Sequence, residues 1–233
     1  MLAIVTGATK GIGRAITFAL AEKQYNLAIC SRNLRDLQEI KEELVKKYPK
    51  IKILTKDTDM RKPSDVASFS KLILDEFPSV DVLVNNAGVF IPGMTHLEDE
   101  GTLEYMIETN LYSAYHLTRA LLPKMIEQKS GHIFNMCSVA SKIAYPNGGS
   151  YSISKFALLG FTKVLREELK DKGIKVTAIL PGATWSHSWA GVDLPKARLM
   201  ESEDIAKIVS SALELSPAAC IEEIIVRPQE GDL

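Results

Sequence analysis

Apolar residues recur along the chain in two alternating rhythms. Short runs rich in Val, Ile and Leu at 2–6, 26–31, 51–56, 80–85, 132–138, 175–180 and 221–227 read as strands. Helical spacing fills the intervals. Ile12, Ala15, Ile16, Ala19 and Leu20 fall at i, i+3, i+4, i+7 and i+8, one apolar stripe on an amphipathic helix, and Ile205, Ile208, Val209, Ala212 and Leu213 repeat the spacing. The charged segment 35–50 is threaded by Leu37, Ile40 and Leu44, with Leu34 just ahead, so it predicts a helix with one solvated face rather than a basic patch. Strands alternating with helices predict an α/β fold: a Rossmann-type, doubly wound parallel sheet of about seven strands with helices on both faces. The least regular stretch, 184–199, gathers Trp185, His187, Trp189 and Pro195 and predicts a substrate loop.

Composition narrows the classes. The 233 residues are 46% hydrophobic and 24% charged, a length that fits a single domain over 1–233, with no repeat or low-complexity linker to divide it. Lys and Arg number 28 against 29 Asp and Glu, for a net charge of −1, which argues against nucleic acid as the main partner. No apolar stretch approaches the roughly 18–20 residues of a membrane helix, and residues 1–6 lead straight into the turn at Gly7 without a secretory pattern. A cytoplasmic protein with no membrane partner is expected. Cys30, Cys137 and Cys220 are odd in number and far apart, which suits reduced, packed thiols. His96, His116, His132 and His187 lack metal-ligand spacing, so no metal is expected.

Two clusters carry chemistry. The first strand ends in Thr6-Gly7-Ala8-Thr9-Lys10-Gly11-Ile12-Gly13, which is not a G-x-G-x-x-G fingerprint but lies between strand and helix. There glycine lets backbone approach a pyrophosphate, and the helix N-terminus supplies N–H groups and a positive dipole. The second strand ends Cys30-Ser31-Arg32, where an NAD-type site usually offers an acid to the ribose 2′-hydroxyl. Arg32 can instead fork onto a 2′-phosphate and Lys10 can add a second charge, so NADP(H) is the expected cofactor. The second cluster is Ser138, at a strand end, with Tyr151 and Lys155 four residues apart on one helix face. An isolated tyrosine titrates near 10, and a neighbouring ammonium favours its phenolate. Ser138 can hydrogen-bond a substrate oxygen from the other side.

In combination these residues resemble the short-chain dehydrogenase/reductase family, in its shorter single-domain branch, over essentially the whole chain. Its landmarks occur in order: Thr6-Gly7-x-x-x-Gly11-x-Gly13, Asp59, Asn85-Asn86-Ala87-Gly88, Asn110, Ser138, Tyr151-x-x-x-Lys155 and Pro181-Gly182. The resemblance implies that Asp59 and Met60 border the adenine and that Asn86 and its neighbours line the adenosine ribose. It makes Lys155 hold the nicotinamide ribose while lowering the Tyr151 pKa, Tyr151 the proton donor and acceptor, and Ser138 the group that orients the carbonyl. Asn110 would hold a water in a proton relay, with a helix break as its structural alternative. Pro181, Gly182, Thr184 and Ser186 would anchor the carboxamide, Ser186 standing where the family often has Thr. The tail Glu222-Glu223-Ile224-Ile225-Val226-Arg227-Pro228-x-x-Gly231-Asp232, with Gly182-Ala183-Thr184-Trp185, resembles bacterial short-chain reductases that include sepiapterin-reductase-like members, and it suits a subgroup-specific last strand and dimer edge better than it marks a substrate.

The expected function is hydride transfer between nicotinamide and a small-molecule carbonyl or secondary alcohol, by a homodimer or homotetramer. Two alternatives stay open. A 3-oxoacyl-carrier-protein reductase would want a basic surface beside the mouth for its acidic carrier, and a non-catalytic NADP(H)-sensing protein would need no proton donor.

Overall fold

The computed structural model describes residues 1–185, 195 and 198–231. Among them seven strands, β1 (Leu2–Thr6), β2 (Asn26–Ser31), β3 (Ile53–Asp57), β4 (Val82–Asn85), β5 (Gly131–Met136), β6 (Ile174–Pro181) and β7 (Glu223–Val226), form one sheet. The order is β3-β2-β1-β4-β5-β6-β7, and every neighbouring pair is parallel. The crossovers carry α1 (Gly11–Glu22), α2 (Leu34–Lys47), α3 (Pro63–Glu76), α4 (Thr102–Ile107), α5 (Ser113–Gln128) and α6 (Gly149–Leu169), and α7 (Ser202–Leu213) precedes β7. This is the expected doubly wound architecture.

Residues of β1 are buried along their whole length because both sheet faces are covered, which is why the strand reads as continuously apolar. Ala3 and Val5 pack with Ile16 and Leu20 of α1 and Val209 of α7 on one face. Leu2 and Ile4 point to the other, against Phe69 of α3, Leu117 and Leu121 of α5 and Leu165 of α6. The strand period of two thus sorts one sequence into two cores.

The boundaries that differ from the sequence reading have local causes. The charged helix stops at Lys47, short of residue 50, because Pro49 disfavours helical backbone at Tyr48. Its start is set by Asn33, whose side chain accepts from the amides of Arg35 and Asp36. Strand β4 begins at Val82 rather than residue 80, since the Val80 amide donates to the Gln128 side chain at 2.9 Å instead of entering the ladder. Strand β5 ends at Met136 because Ser138 caps the short 3₁₀ turn Val139–Ser141, accepting from the Ala140 amide at 3.2 Å.

Chain order reverses at β1, which pairs with β2 on one side and β4 on the other. In open α/β sheets the crevice at such a reversal, beyond the carboxyl ends of the strands, is where ligands bind. Among the described residues no helix is long and apolar enough to cross a membrane, and no group of three or more His, Cys, Asp or Glu could hold a metal ion.

Candidate active site

The glycine turn leaves β1 into that crevice. Gly7 takes φ +62° and Gly11 φ +50°, left-handed backbone that favours glycine. At Gly13 a Cβ would stand 2.2 Å from the Gly7 carbonyl oxygen and 2.4 Å from Asn86 Nδ2, so only hydrogen fits. Lys10 precedes α1 with extended backbone and no side-chain cap, and the helix begins Gly11-Ile12-Gly13, so its first N–H groups face the crevice without a capping acceptor. The turn is fastened to β4 through Thr6, whose hydroxyl accepts from the amides of Asn86 at 3.0 Å and Ala87 at 2.9 Å. Asn86 returns the tie, donating from Nδ2 to the carbonyls of Thr6 at 2.9 Å and Gly7 at 3.2 Å. Its Nδ2 is therefore committed to the turn.

Arg32 and Lys10 flank the end of β2 as expected, each with a local partner. Lys10 pairs with Asp36 at 3.0 Å, and Ser31 accepts a hydrogen bond from Thr9 at 3.3 Å. Arg32 donates to the Tyr105 hydroxyl at 3.4 Å. Tyr105 also receives the Arg61 guanidinium over its ring, 4.9 Å from the centroid. Arg61 forks onto Asp59 (Nε to Oδ1 3.1 Å, Nη2 to Oδ2 2.6 Å), which holds that carboxyl below its ordinary range. Met60 beside it is buried. Arg61 and Tyr105 escaped the sequence reading. The Asp59-x-Arg61 spacing was the available signal for the first, whereas Tyr105 lies 73 residues from Arg32.

Ser138, Tyr151, Lys155 and Asn110 converge beyond β5. Lys155, in the second turn of α6, donates from Nζ to the Met136 carbonyl at 2.8 Å, and its Nζ lies 5.7 Å from the Tyr151 ring centroid. Burial draws the ammonium down to about 8 and pushes the Tyr151 phenol up to about 12, while a hydrogen bond with the Ser138 side chain opposes the latter. The expected lowering of the phenol by Lys155 is not found here: desolvation dominates, and the hydrogen bond with Ser138 is what opposes it. The Cys137 thiol, also near Lys155, is pushed up to about 11 by burial.

Asn110 sits in a π-helical turn, Glu108–Tyr112, wedged between α4 and α5. Its side chain accepts from the Val89 amide at 2.8 Å and donates to the Val89 carbonyl at 3.0 Å and the Ser154 hydroxyl at 2.9 Å. Asn110 and Lys155 both approach Gly88: a Cβ there would be 3.3 Å from Asn110 Oδ1 and 3.5 Å from Lys155 Nζ. Ser154 is a further member of this network that spacing alone did not single out. Phe90, next along the same loop, packs its ring edge-on to Tyr151 with centroids 4.8 Å apart.

Pro181 closes β6, and its carbonyl accepts from Ser138 Oγ at 3.5 Å. The Gly182 amide donates to Val226 at 2.7 Å and Thr184 Oγ1 to the Gly182 carbonyl at 3.0 Å, so the β6 end is anchored to β7. Ser186 and most of the expected substrate loop, His187 and Trp189 included, lie outside the described residues.

A doubly wound sheet with a glycine cradle at its reversal defines a dinucleotide-binding α/β protein. Comparison with known proteins carries this further. The family model described as short chain dehydrogenase matches residues 1–194. Sepiapterin reductase of Chlorobaculum tepidum is 36% identical over 239 residues, spanning 99% of this chain and 97% of that protein. A 3-oxoacyl-(acyl-carrier-protein) reductase of Staphylococcus epidermidis is 32% identical over 218 residues, 89% of each chain. Among solved structures, an alcohol dehydrogenase from the archaeon Thermococcus sibiricus, complexed with 5-hydroxy-NADP, superposes with a TM-score of 0.91 at 29% identity, covering 100% of this chain and 98% of that one. The chain belongs to the short chain dehydrogenase family and is a nicotinamide-dependent oxidoreductase of that family.

Proposed function

We propose that this protein is an NADP(H)-dependent reductase or dehydrogenase that interconverts a small-molecule carbonyl and its secondary alcohol. The observation that carries the reading is the meeting of Ser138, Tyr151, Lys155 and Asn110 at one strand end beside the glycine cradle. The fit to a dinucleotide rests on that cradle, where Gly13 admits no Cβ and the first amides of α1 are open to a pyrophosphate. When bound, the nicotinamide supplies hydride transfer. The chain supplies the rest. Ser138 donates a hydrogen bond to the carbonyl oxygen and orients it, and the Tyr151 hydroxyl gives that oxygen its proton in reduction or takes it back in oxidation. Lys155, as the ammonium, stabilises the phenolate left behind, and Asn110 with Ser154 keeps the Lys155 surroundings polar for proton return.

Arg32 supports NADP(H) over NAD(H), since a guanidinium rather than an acid follows Ser31. Lys10 contributes less, being paired with Asp36. The 5-hydroxy-NADP complex of the archaeal neighbour supports the same cofactor. A cytoplasmic location is part of the proposal, supported by free thiols at Cys30, Cys137 and Cys220. So is a homodimer or homotetramer, argued below.

The test is kcat/KM with NADPH and with NADH on a carbonyl panel, in wild type and Arg32→Asp. An acid facing a 2′-phosphate at 4 Å costs about 4 kcal/mol at an effective dielectric near 20, before screening. Wild type is expected to prefer NADPH and the variant to lose or invert that preference. A wild type preferring NADH, or an unchanged ratio in the variant, refutes the assignment. The 3-oxoacyl-carrier reading keeps support from the Staphylococcus relative, but Lys142, a cation following the Ser138 turn, is ion-paired with Glu223 and offers less to an acidic carrier. A non-catalytic NADP(H) sensor is separated by single turnover: it would leave bound NADPH unoxidised whatever carbonyl is added.

A further inference from the structure

Tyr151 is the third residue of α6, so its position depends on the first turn of a helix whose N-terminus has no cap of its own. Gly148 brings no side chain to the orphan amides, and no acid occupies the first turn. The missing acceptor arrives from 52 residues away. Glu98, in the segment between β4 and α4, accepts the Ser150 amide on Oε1 at 2.9 Å and the Ser150 hydroxyl on Oε2. The segment is shaped to deliver it. The Gly93 amide donates to the Asn147 carbonyl at 3.0 Å, and Gly93 and Gly148 form a parallel bridge. Gly149 takes φ +25°, and a Cβ there would fall 2.1 Å from Glu98 Oε1 and 2.6 Å from the Gly93 carbonyl. Gly149, together with Gly93, where a Cβ would fall 2.8 Å from Glu98 Cγ, therefore lets the carboxylate reach the helix end.

The same segment is tied to α6 at its other extremity, where Asn110 joins Val89 to Ser154. Between the two ties, Phe90 rests against the Tyr151 ring. A strap fastened at Val89 and at Glu98 thus presses one aromatic side chain on the phenol and closes the turn that carries it. The geometry points to Glu98 as a positioning residue for Tyr151: it caps the α6 N-terminus from a distant loop and locks the Phe90 strap over the phenol. This rests on the proposed role of Tyr151 as proton donor. Glu98 touches neither cofactor nor reacting atoms in this role.

Glu98→Ala removes both hydrogen bonds. Glu98→Gln keeps both, because its carbonyl accepts the Ser150 amide and its amide donates to the Ser150 hydroxyl. Amide hydrogen exchange over 149–155 reads the cap directly, and NADPH reduction of 4-nitrobenzaldehyde reads the phenol. Glu98→Ala is expected to speed exchange in 149–155 by about tenfold, the scale of a lost cap, with the rest of the sheet unchanged. Its kcat is expected to fall by about tenfold while the NADPH dissociation constant, by fluorescence titration, stays within about twofold. Glu98→Gln is expected to restore both readouts. Ser150→Ala, which keeps the amide bond and loses only the hydroxyl, provides a milder variant and is expected to fall between wild type and Glu98→Ala. Unchanged exchange over 149–155 in Glu98→Ala overturns the cap. Local opening without loss of kcat, or failure of Gln to rescue, overturns the positioning role. If wild type does not turn over this aldehyde, kcat is read on a member of the carbonyl panel that it does reduce; a wild type that reduces none overturns the reading of Tyr151 as donor, and the exchange arm still decides the cap.

Discussion

Tyr151 and Lys155 depart from their ordinary titration in opposite directions for one physical reason: low-dielectric surroundings penalise phenolate and ammonium alike. At neutral pH both carry the proton that carbonyl reduction needs. Tyr151→Phe deletes one hydroxyl and keeps the ring against Phe90, so folding and NADPH affinity should hold while kcat falls by about 10²–10⁴-fold. A variant keeping more than about a tenth of wild-type kcat would remove Tyr151 from the proton-transfer role. Lys155, drawn to about 8, loses its proton first as pH rises, so reduction should decline through that value in a kcat/KM profile. Ser138, Tyr151 and Lys155 stand out in the sequence because a serine at a strand end and a Tyr–Lys spacing of four on one helix face are local patterns. Glu98, Arg61 and Tyr105 do not, since Glu98 and Tyr105 act on residues brought close only by the sheet crossovers and Arg61 acts by folding back on Asp59 and over the Tyr105 ring.

Elements with one strong periodicity were read nearly to the residue: β1 and β2 match the expected bounds, and α1 and α7 span the expected stripes. The segment from α4 to α5 was not legible. Its helical course is interrupted by the π-turn Glu108–Tyr112 and contains Pro123, which removes a backbone donor on the exposed side of α5. Yet that interruption is what aims Asn110 at Val89 and Ser154, so the helix break and the proposed relay residue fall on the same feature. The glycine turn allows a test at this scale. Gly13→Ala gains up to about 1 kcal/mol of helix propensity but forces a Cβ onto the Gly7 carbonyl, and overpacking of this kind costs about 1–3 kcal/mol. Chemical denaturation should show a net loss, and fluorescence titration should show NADPH binding largely abolished. A stabilised variant that binds NADPH normally would contradict the cradle.

For the whole molecule, the proposed assembly rests on what α5 and α6 leave uncovered. Tyr112 at the start of α5 and Ile153, Phe156 and Val164 on α6 are 44–54% exposed, and Gly160 has open space where a Cβ would stand. Apolar side chains flanking a bare helix surface suit a self-complementary two-fold contact. Light scattering at micromolar concentration should therefore give a mass near two or four times the 25.7 kDa chain, and a monomer mass would count against the proposed oligomer. Stability has its own titrating group at the far end of β5. His132 is buried, stacked on Phe134 and bonded through Nε2 to Thr177 Oγ1 at 2.7 Å, and burial lowers it to about 3. Because the folded value lies below the unfolded 6.5, the unfolded chain binds the extra proton between those limits. Stability is thus full above about 6.5 and is lost as pH falls toward 3, by about 1.4 kcal/mol per unit from this residue. Urea midpoints against pH should fall less steeply in His132→Gln than in wild type, the remaining slope coming from carboxylates such as Asp59.

That strand bears His132 near its amino end and offers the Met136 carbonyl to Lys155 at its carboxyl end, so the pH curve should have two limbs of different kinds. The alkaline limb belongs to a side chain titrating in place, so it should develop within the mixing time and vanish on return to neutrality. The acid limb belongs to the population of folded chains. It should deepen with incubation, shift with urea, and recede when a ligand of the native state is present, so an assay read at one time point would mistake a folding equilibrium for an ionising catalyst.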